Sequence, residues 1–143
     1  MRKILFSIVA LTTFLFSCNS QKGAVAGKID YDFTKMNFNI ATAQIFNMTV
    51  EPEKYKGKTV RFRGLFMSIQ EEGFSHRFYS VLQYDATACC QTGFMFYLPP
   101  DKKYPQDYPE EMSEIEVCGV LTATVEDGMD FVYLACDSYK VVE

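Results

Sequence analysis

From Thr59 onward the side chains alternate with a period of two. Val60, Phe62, Gly64 and Phe66 fall on one side of an extended chain, and Thr59, Arg61, Arg63 and Leu65 on the other. Such a stretch buries one face of a sheet and has no coherent apolar stripe as a helix. Four more extended segments follow at residues 74–84, 93–98, 115–125 and 129–142. Glu71-Glu72-Gly73 reads as a turn, and Pro99-Pro100 stops the third strand. The polar loop 101–111, which contains further prolines, has room for a short helical turn at most. Glu126-Asp127-Gly128 is a hairpin turn, since Asp-Gly tolerates the positive φ that such turns need. Ahead of the strands, Phe38, Ala41, Thr42, Gln44, Ile45 and Met48 give helical spacing over residues 39–48, and 51–58 is a turn-rich approach. Gly64 inside a strand predicts a bulge or sharp bend. The expected fold is all-β with one short N-terminal helix, arranged as a small five-stranded OB-like barrel. A small β-sandwich is the alternative.

Composition narrows the classes. Of 143 residues, 48% are hydrophobic and 22% charged, which is a globular rather than a disordered balance. There is no Trp, but 13 Phe and 9 Tyr supply bulky core material. A formal charge of -4 argues against a nucleic-acid partner, in spite of the expected fold.

The opening segment reads as an export address. Arg2 and Lys3 precede a nearly unbroken apolar run at residues 4–16. A stable membrane span needs about 20 such residues, so the run fits the core of a secretory leader better. Leu15-Phe16-Ser17-Cys18 then resembles the lipobox of bacterial lipoproteins. The resemblance implies cleavage before Cys18 and a diacylglycerol thioether on its thiol. Each buried lipid methylene contributes about 0.8 kcal/mol, so several acyl chains hold a domain firmly on a membrane. The expected division is a leader at 1–17, a lipidated Cys18 with a flexible tether at 18–37, and the OB-like domain at 38–143. By resemblance to the sorting rules of lipoproteins in double-membrane bacteria, Asn19 in place of Asp implies an outer membrane facing the periplasm, where the organism has one.

Apart from Cys18, four thiols remain: Cys89, Cys90, Cys118 and Cys136. In an exported domain they can form disulfides, ligate a soft metal with His76 as a further donor, or stay as buried free thiols. Adjacent Cys89 and Cys90 would close a strained ring, so they are not expected to pair with each other. A three-residue loop in the last hairpin would set Cys118 directly opposite Cys136. A two-residue loop at Asp127-Gly128 would put them on opposite faces and give the cleaner apolar side, and the sequence leaves both registers open. Zn or Cu are the candidate ions, although no C-x2-C spacing supports them.

Several phrases fall in a familiar order. They are Lys54-Tyr55-Lys56-Gly57-Lys58-Thr59-Val60, the Cys89-Cys90 doublet, Ile115-Glu116-Val117-Cys118-Gly119 and Val132-Tyr133-Leu134-Ala135-Cys136-Asp137. This order is similar to the extracytoplasmic domain of an uncharacterised bacterial family, the smaller partner of a permease pair. That family carries its Cys doublet after the second strand. Here Gln91, Thr92 and Gly93 follow the doublet, where the family has Ala or Val, Ala and Asp. The resemblance spans residues 50–143 and implies a fold and a place, not a reaction.

Catalytic signatures are missing. His76 is the single histidine, and neither a G-x-S-x-G elbow nor a Gly-rich phosphate loop occurs. Lys54, Lys56, Lys58, Arg61 and Arg63 cluster near the start of the strands. They form either a face for an anionic partner or a solvated edge guarded against aggregation. The outward members of the aromatic strands are large enough to serve a protein partner or ligand groove, with core filling the default for at least half of them. The expected function is non-enzymatic: a lipid-anchored extracytoplasmic binding module in an envelope or transport assembly, contacting a protein partner. The alternative is a thiolate metal-binding lipoprotein that uses Cys89 and Cys90.

Overall fold

A computed structural model describes residues 27–126 and 128–142. The expected leader, Cys18 and the first part of the tether lie outside these residues. The chain enters through a two-residue strand β1 (Tyr31–Asp32) and a 3-10 turn (Phe33–Lys35). Two helices, α1 (Phe38–Val50) and α2 (Pro52–Tyr55), come next. Five longer strands follow: β2 (Thr59–Ile69), β3 (Phe78–Tyr84), β4 (Gln91–Tyr97), β5 (Glu114–Glu126) and β6 (Met129–Val141).

All the strands belong to one mixed sheet in the order β1-β2-β3-β4-β6-β5, and β2 also pairs with β5. The antiparallel pairs β2–β3, β3–β4 and β5–β6 follow from short connections, β2–β5 is antiparallel between strands distant in the chain, and β1–β2 and β4–β6 are parallel. The strand-rich expectation holds, with two differences in number. Among the described residues there are six strands rather than five, and α2 is a second, one-turn helix with Pro52 in its first turn.

The domain begins earlier than residue 38. Asp30 accepts from the Thr59 N–H through its carboxylate at 2.9 Å, and its own N–H donates to the Thr59 carbonyl at 2.9 Å. Asp32 caps the 3-10 turn by accepting from the Thr34 N–H. Phe33 is fully buried, with its ring centroid 5.7 Å from Phe62 and 5.4 Å from Phe94. Residues 30–36, expected as tether, are therefore part of the fold. A single buried ring and a two-residue strand produce no periodicity, so the sequence pattern could not reveal them.

Helix α1 starts at Asn37, whose side chain accepts from the Ile40 N–H at 3.0 Å, and it buries Ala41, Ile45 and Met48. Its apolar side lies against β4. Inside the sheet, Val60, Phe62 and Phe66 are buried as the alternation predicts, joined by Val81, Phe96, Val117, Leu121 and Leu134. Loop 101–112 covers one end with Tyr108, whose ring stacks on Tyr79 at 3.9 Å. The expected second strand loses its first residues to a loop. Gln70 Nε2 donates to the carbonyls of Phe74 and His76, at 3.1 and 3.2 Å, so those groups are satisfied without a ladder.

The last hairpin settles the register left open above. Glu126 pairs with Met129, so the loop has two residues, and Gly119 pairs with Cys136. A bulge between Val117 and Gly119 leaves Cys118 out of this ladder, and on its other edge Cys118 lies opposite Arg61 of β2.

The β2–β5 ladder runs through Gly64 without the register shift that a bulge would leave, and the need for glycine there is steric instead. A Cβ there would meet the Leu82 carbonyl of β3, so the close approach of the two strands requires glycine. We expect Gly64→Ala to destabilise the domain by about 1–3 kcal/mol in urea unfolding, through overpacking. A change below about 0.5 kcal/mol, the range of ordinary surface substitutions, would contradict this close approach.

Candidate metal centre

The β3–β4 connection is six residues long, closed by the pair Tyr84–Gln91. Its geometry is set by Asp85. One carboxylate oxygen, Oδ1, accepts from the backbone N–H groups of Thr87 at 3.2 Å, Cys89 at 2.9 Å and Cys90 at 3.4 Å. The Thr87 hydroxyl lies 3.1 Å from both carboxylate oxygens. The Asp85 N–H donates to the Cys90 carbonyl and the Ala88 N–H to the Asp85 carbonyl, each at 3.0 Å. Ala88 takes a positive φ of 55° to let the chain turn. Asp-x-Thr loops of this kind fold around the carboxylate.

This turn brings both thiols to the same side. Cys89 Sγ lies 3.5 Å from Cys90 Sγ, although an extended chain would point them apart. Ligand atoms of Asp85, Cys89 and Cys90 all lie within 4.8 Å of one another. Both thiols are exposed. Asp85 was not picked out from the sequence as a ligand. The Asp-Ala-Thr phrase ahead of the doublet was the signal available.

Spacing and donor type fit a thiophilic cation. Zn–S bonds of about 2.3 Å at the tetrahedral angle set two sulfurs about 3.8 Å apart, close to the observed separation. A linear two-coordinate ion would need them further apart. Three protein donors on an exposed loop leave a fourth position for water or an incoming ligand.

Desolvation works against ionisation of Asp85, but the N–H groups of Cys89 and Cys90 and the Thr87 contacts outweigh it and hold the carboxyl below its ordinary range. The contact with Cys89 raises the Cys90 thiol above its ordinary value, and the Asp85 charge adds to this.

The other predicted site residues lie elsewhere. No disulfide links Cys89, Cys90, Cys118 and Cys136, all four of which are free thiols. Cys136 is a core residue, 3% exposed, and burial pushes its thiol up to about 12. Cys118 is half-buried, and burial raises it as well, against the opposing pull of Arg61. His76 sits among aromatic rings, 4.8 Å from Phe78 and 6.4 Å from Tyr97 between centroids, and is not part of the Asp85 group. Of the five basic residues near the start of the sheet, Lys54, Lys56, Arg61 and Arg63 are set beside carboxylates. Lys54 is 3.2 Å from Glu51, Lys56 is 3.5 Å from Glu53, and Arg63 is 2.9 Å from Glu114. Arg61 lies between Asp32, at 3.8 Å, and Glu116, at 3.6 Å. These pairings favour the solvated-edge reading of that cluster over an unopposed anionic-partner face.

Burial predicts the thiol chemistry. In the folded protein treated with a chelator, a thiol reagent should modify Cys89 and Cys90 readily, Cys118 more slowly, and Cys136 only on unfolding, at least about 100-fold slower than the doublet. Modification of native Cys136 at the rate of Cys89 would contradict the structure. Because the folded thiol titrates near 12 against an ordinary 9.0, the contribution of Cys136 to stability is complete below about pH 9 and is lost as the pH climbs toward 12.

Searched against protein-family models and against curated proteins, the chain matches none.

Proposed function

We propose that this protein is a non-catalytic metal-binding module, held on the outer side of a bacterial membrane by a lipid on Cys18. In this reading Cys89, Cys90 and Asp85 hold one thiophilic ion, Zn(II) or Cu(I). The observation that carries it is the 3.5 Å separation of two exposed thiols that a carboxylate-centred turn has swung to one side. Sulfur donors select these ions over Mg(II) or Ca(II). The open fourth position suits an ion that is handed on rather than one that staples a fold.

The scaffold is read as an OB-like barrel. Its support is the pairing sequence β2–β3–β4–β6–β5, which returns to β2 through the β2–β5 ladder. A sandwich would instead divide the strands between two sheets. On such a barrel the β3–β4 loop stands clear of the core, free to meet an envelope partner. The leader chemistry at residues 1–18 supports the location. A lipid anchor fits an ion-carrying module that works beside a transporter.

Competition with a chromophoric chelator tests the metal reading. The full chain with Cys18→Ser should take up about one Zn(II) or Cu(I), and binding should tighten as the pH rises, because the ion displaces the proton of Cys90. Failure to compete for either ion in the presence of reductant would refute it.

A further inference from the structure

On the outward face of the sheet, away from the thiol pair, four rings enclose a small hollow. His76 comes from the loop after β2, Tyr97 ends β4, and Phe131 and Tyr133 lie on β6. Among the described residues these four are the lining of a cavity of about 150 Å³. The walls meet at steep angles. Tyr97 and Tyr133 are 5.2 Å apart between centroids and stand at 89°, while His76 and Tyr97 are 6.4 Å apart at 66°. Phe131 continues into a groove of about 290 Å³ that Phe78 and Glu71 also line.

We infer that this hollow binds a small quaternary ammonium ion of the choline type. Aromatic faces carry negative electrostatic potential, and a cation within about 6 Å of several ring centroids is attracted by each. Tyr97 lies within 6.4 Å of both His76 and Tyr133, so a head group seated against it also reaches a neighbouring ring. No carboxylate lines the hollow among the described residues. Ring faces replace lost hydration poorly for a primary ammonium, whereas a quaternary nitrogen has no N–H to leave unsatisfied. The surrounding charge agrees in sign. The chain is acidic, with a formal charge of -4, and Glu71 lines the adjoining groove, where the rest of the ligand would lie. Arg77, next to His76 in the chain, is directed to the Tyr104 ring at 4.5 Å and to Ser68 Oγ at 3.0 Å. The hollow lies apart from the Asp85 group and stands independently of the metal reading.

Calorimetric titration of the full-length protein in detergent micelles, with choline chloride against matched sodium chloride, tests the inference. Saturable choline binding is expected, with 3,3-dimethylbutan-1-ol, the uncharged isostere, at least about tenfold weaker. Tyr97→Leu with Tyr133→Leu should abolish binding, and Tyr97→Phe should keep it within about twofold, since the phenyl face remains. Absence of saturable binding, or equal binding of choline and its isostere, would overturn the inference. The isostere comparison uses the unmodified protein and does not depend on how any variant folds.

Discussion

Replacing Phe33 by Ala should lower the stability of the domain by about 3–5 kcal/mol, the cost of emptying a buried phenyl site. Small domains have only about 5–15 kcal/mol in total, so the variant should be near the limit of folding. The melting temperature should fall by roughly 10–20 °C. The effect is large because Phe33 is fully buried and its ring contacts both Phe62 and Phe94, which contact each other at 5.4 Å. Lys35→Ala, two residues away on an exposed side chain, should change stability by less than about 0.5 kcal/mol. Thermal unfolding followed by circular dichroism separates these outcomes. Were residues 30–36 a tether, both substitutions would leave the transition where it is.

The second large effect is chemical. Cys89→Ser combined with Cys90→Ser should reduce affinity for Zn(II) or Cu(I) by at least about 100-fold, because hydroxyl oxygens are poor donors to soft ions. Both residues are exposed, so the fold should be unaffected, and an unchanged urea midpoint is the control. Asp85→Asn should have a smaller effect on affinity. Its amide carbonyl can still accept from the Cys89 and Cys90 N–H groups and keep the loop turned, while the ionic donor is lost. Cys118→Ser should leave affinity unaltered, since Cys118 lies on β5 outside the Asp85 group. Retention of full affinity by the double serine variant would move the metal elsewhere.

How far the sequence could carry the structure depended on the range of the interactions involved. The alternation at Val60, Phe62 and Phe66 is a local signal, and these residues are core. The Asp-Gly hairpin is local too, and the register that gathers Val117, Leu121, Leu134 and Cys136 into the core is the one that forms. The sequence held two candidate registers because a shift by one residue changes which face each thiol takes. A Cβ on Gly119 would come 2.5 Å from Cys136 Sγ, so the small residue opposite helps to fit this thiol in the core.

What escaped the sequence is what depends on partners far along the chain. Phe33 is one aromatic in a polar stretch, buried by strands that lie some thirty and sixty residues further on. The parallel β4–β6 contact involves only three residue pairs and leaves no periodic trace. The doublet itself was legible as a candidate, but an extended chain sends neighbouring side chains apart. Only the turn around Asp85, with Ala88 at positive φ, brings the sulfurs together. His76 was assigned to the same possible ligand set on donor chemistry alone, and the fold gives it to the aromatic face instead.

The most direct test is the metal content of the protein purified from its native cells under metal-clean, non-reducing conditions. Elemental analysis should find about one Zn or Cu per chain, with the Cys89 and Cys90 thiols slow to react until a chelator is added. Metal-free protein, with both thiols reacting at once and continuing to do so in excess Zn(II) or Cu(I), would contradict the account.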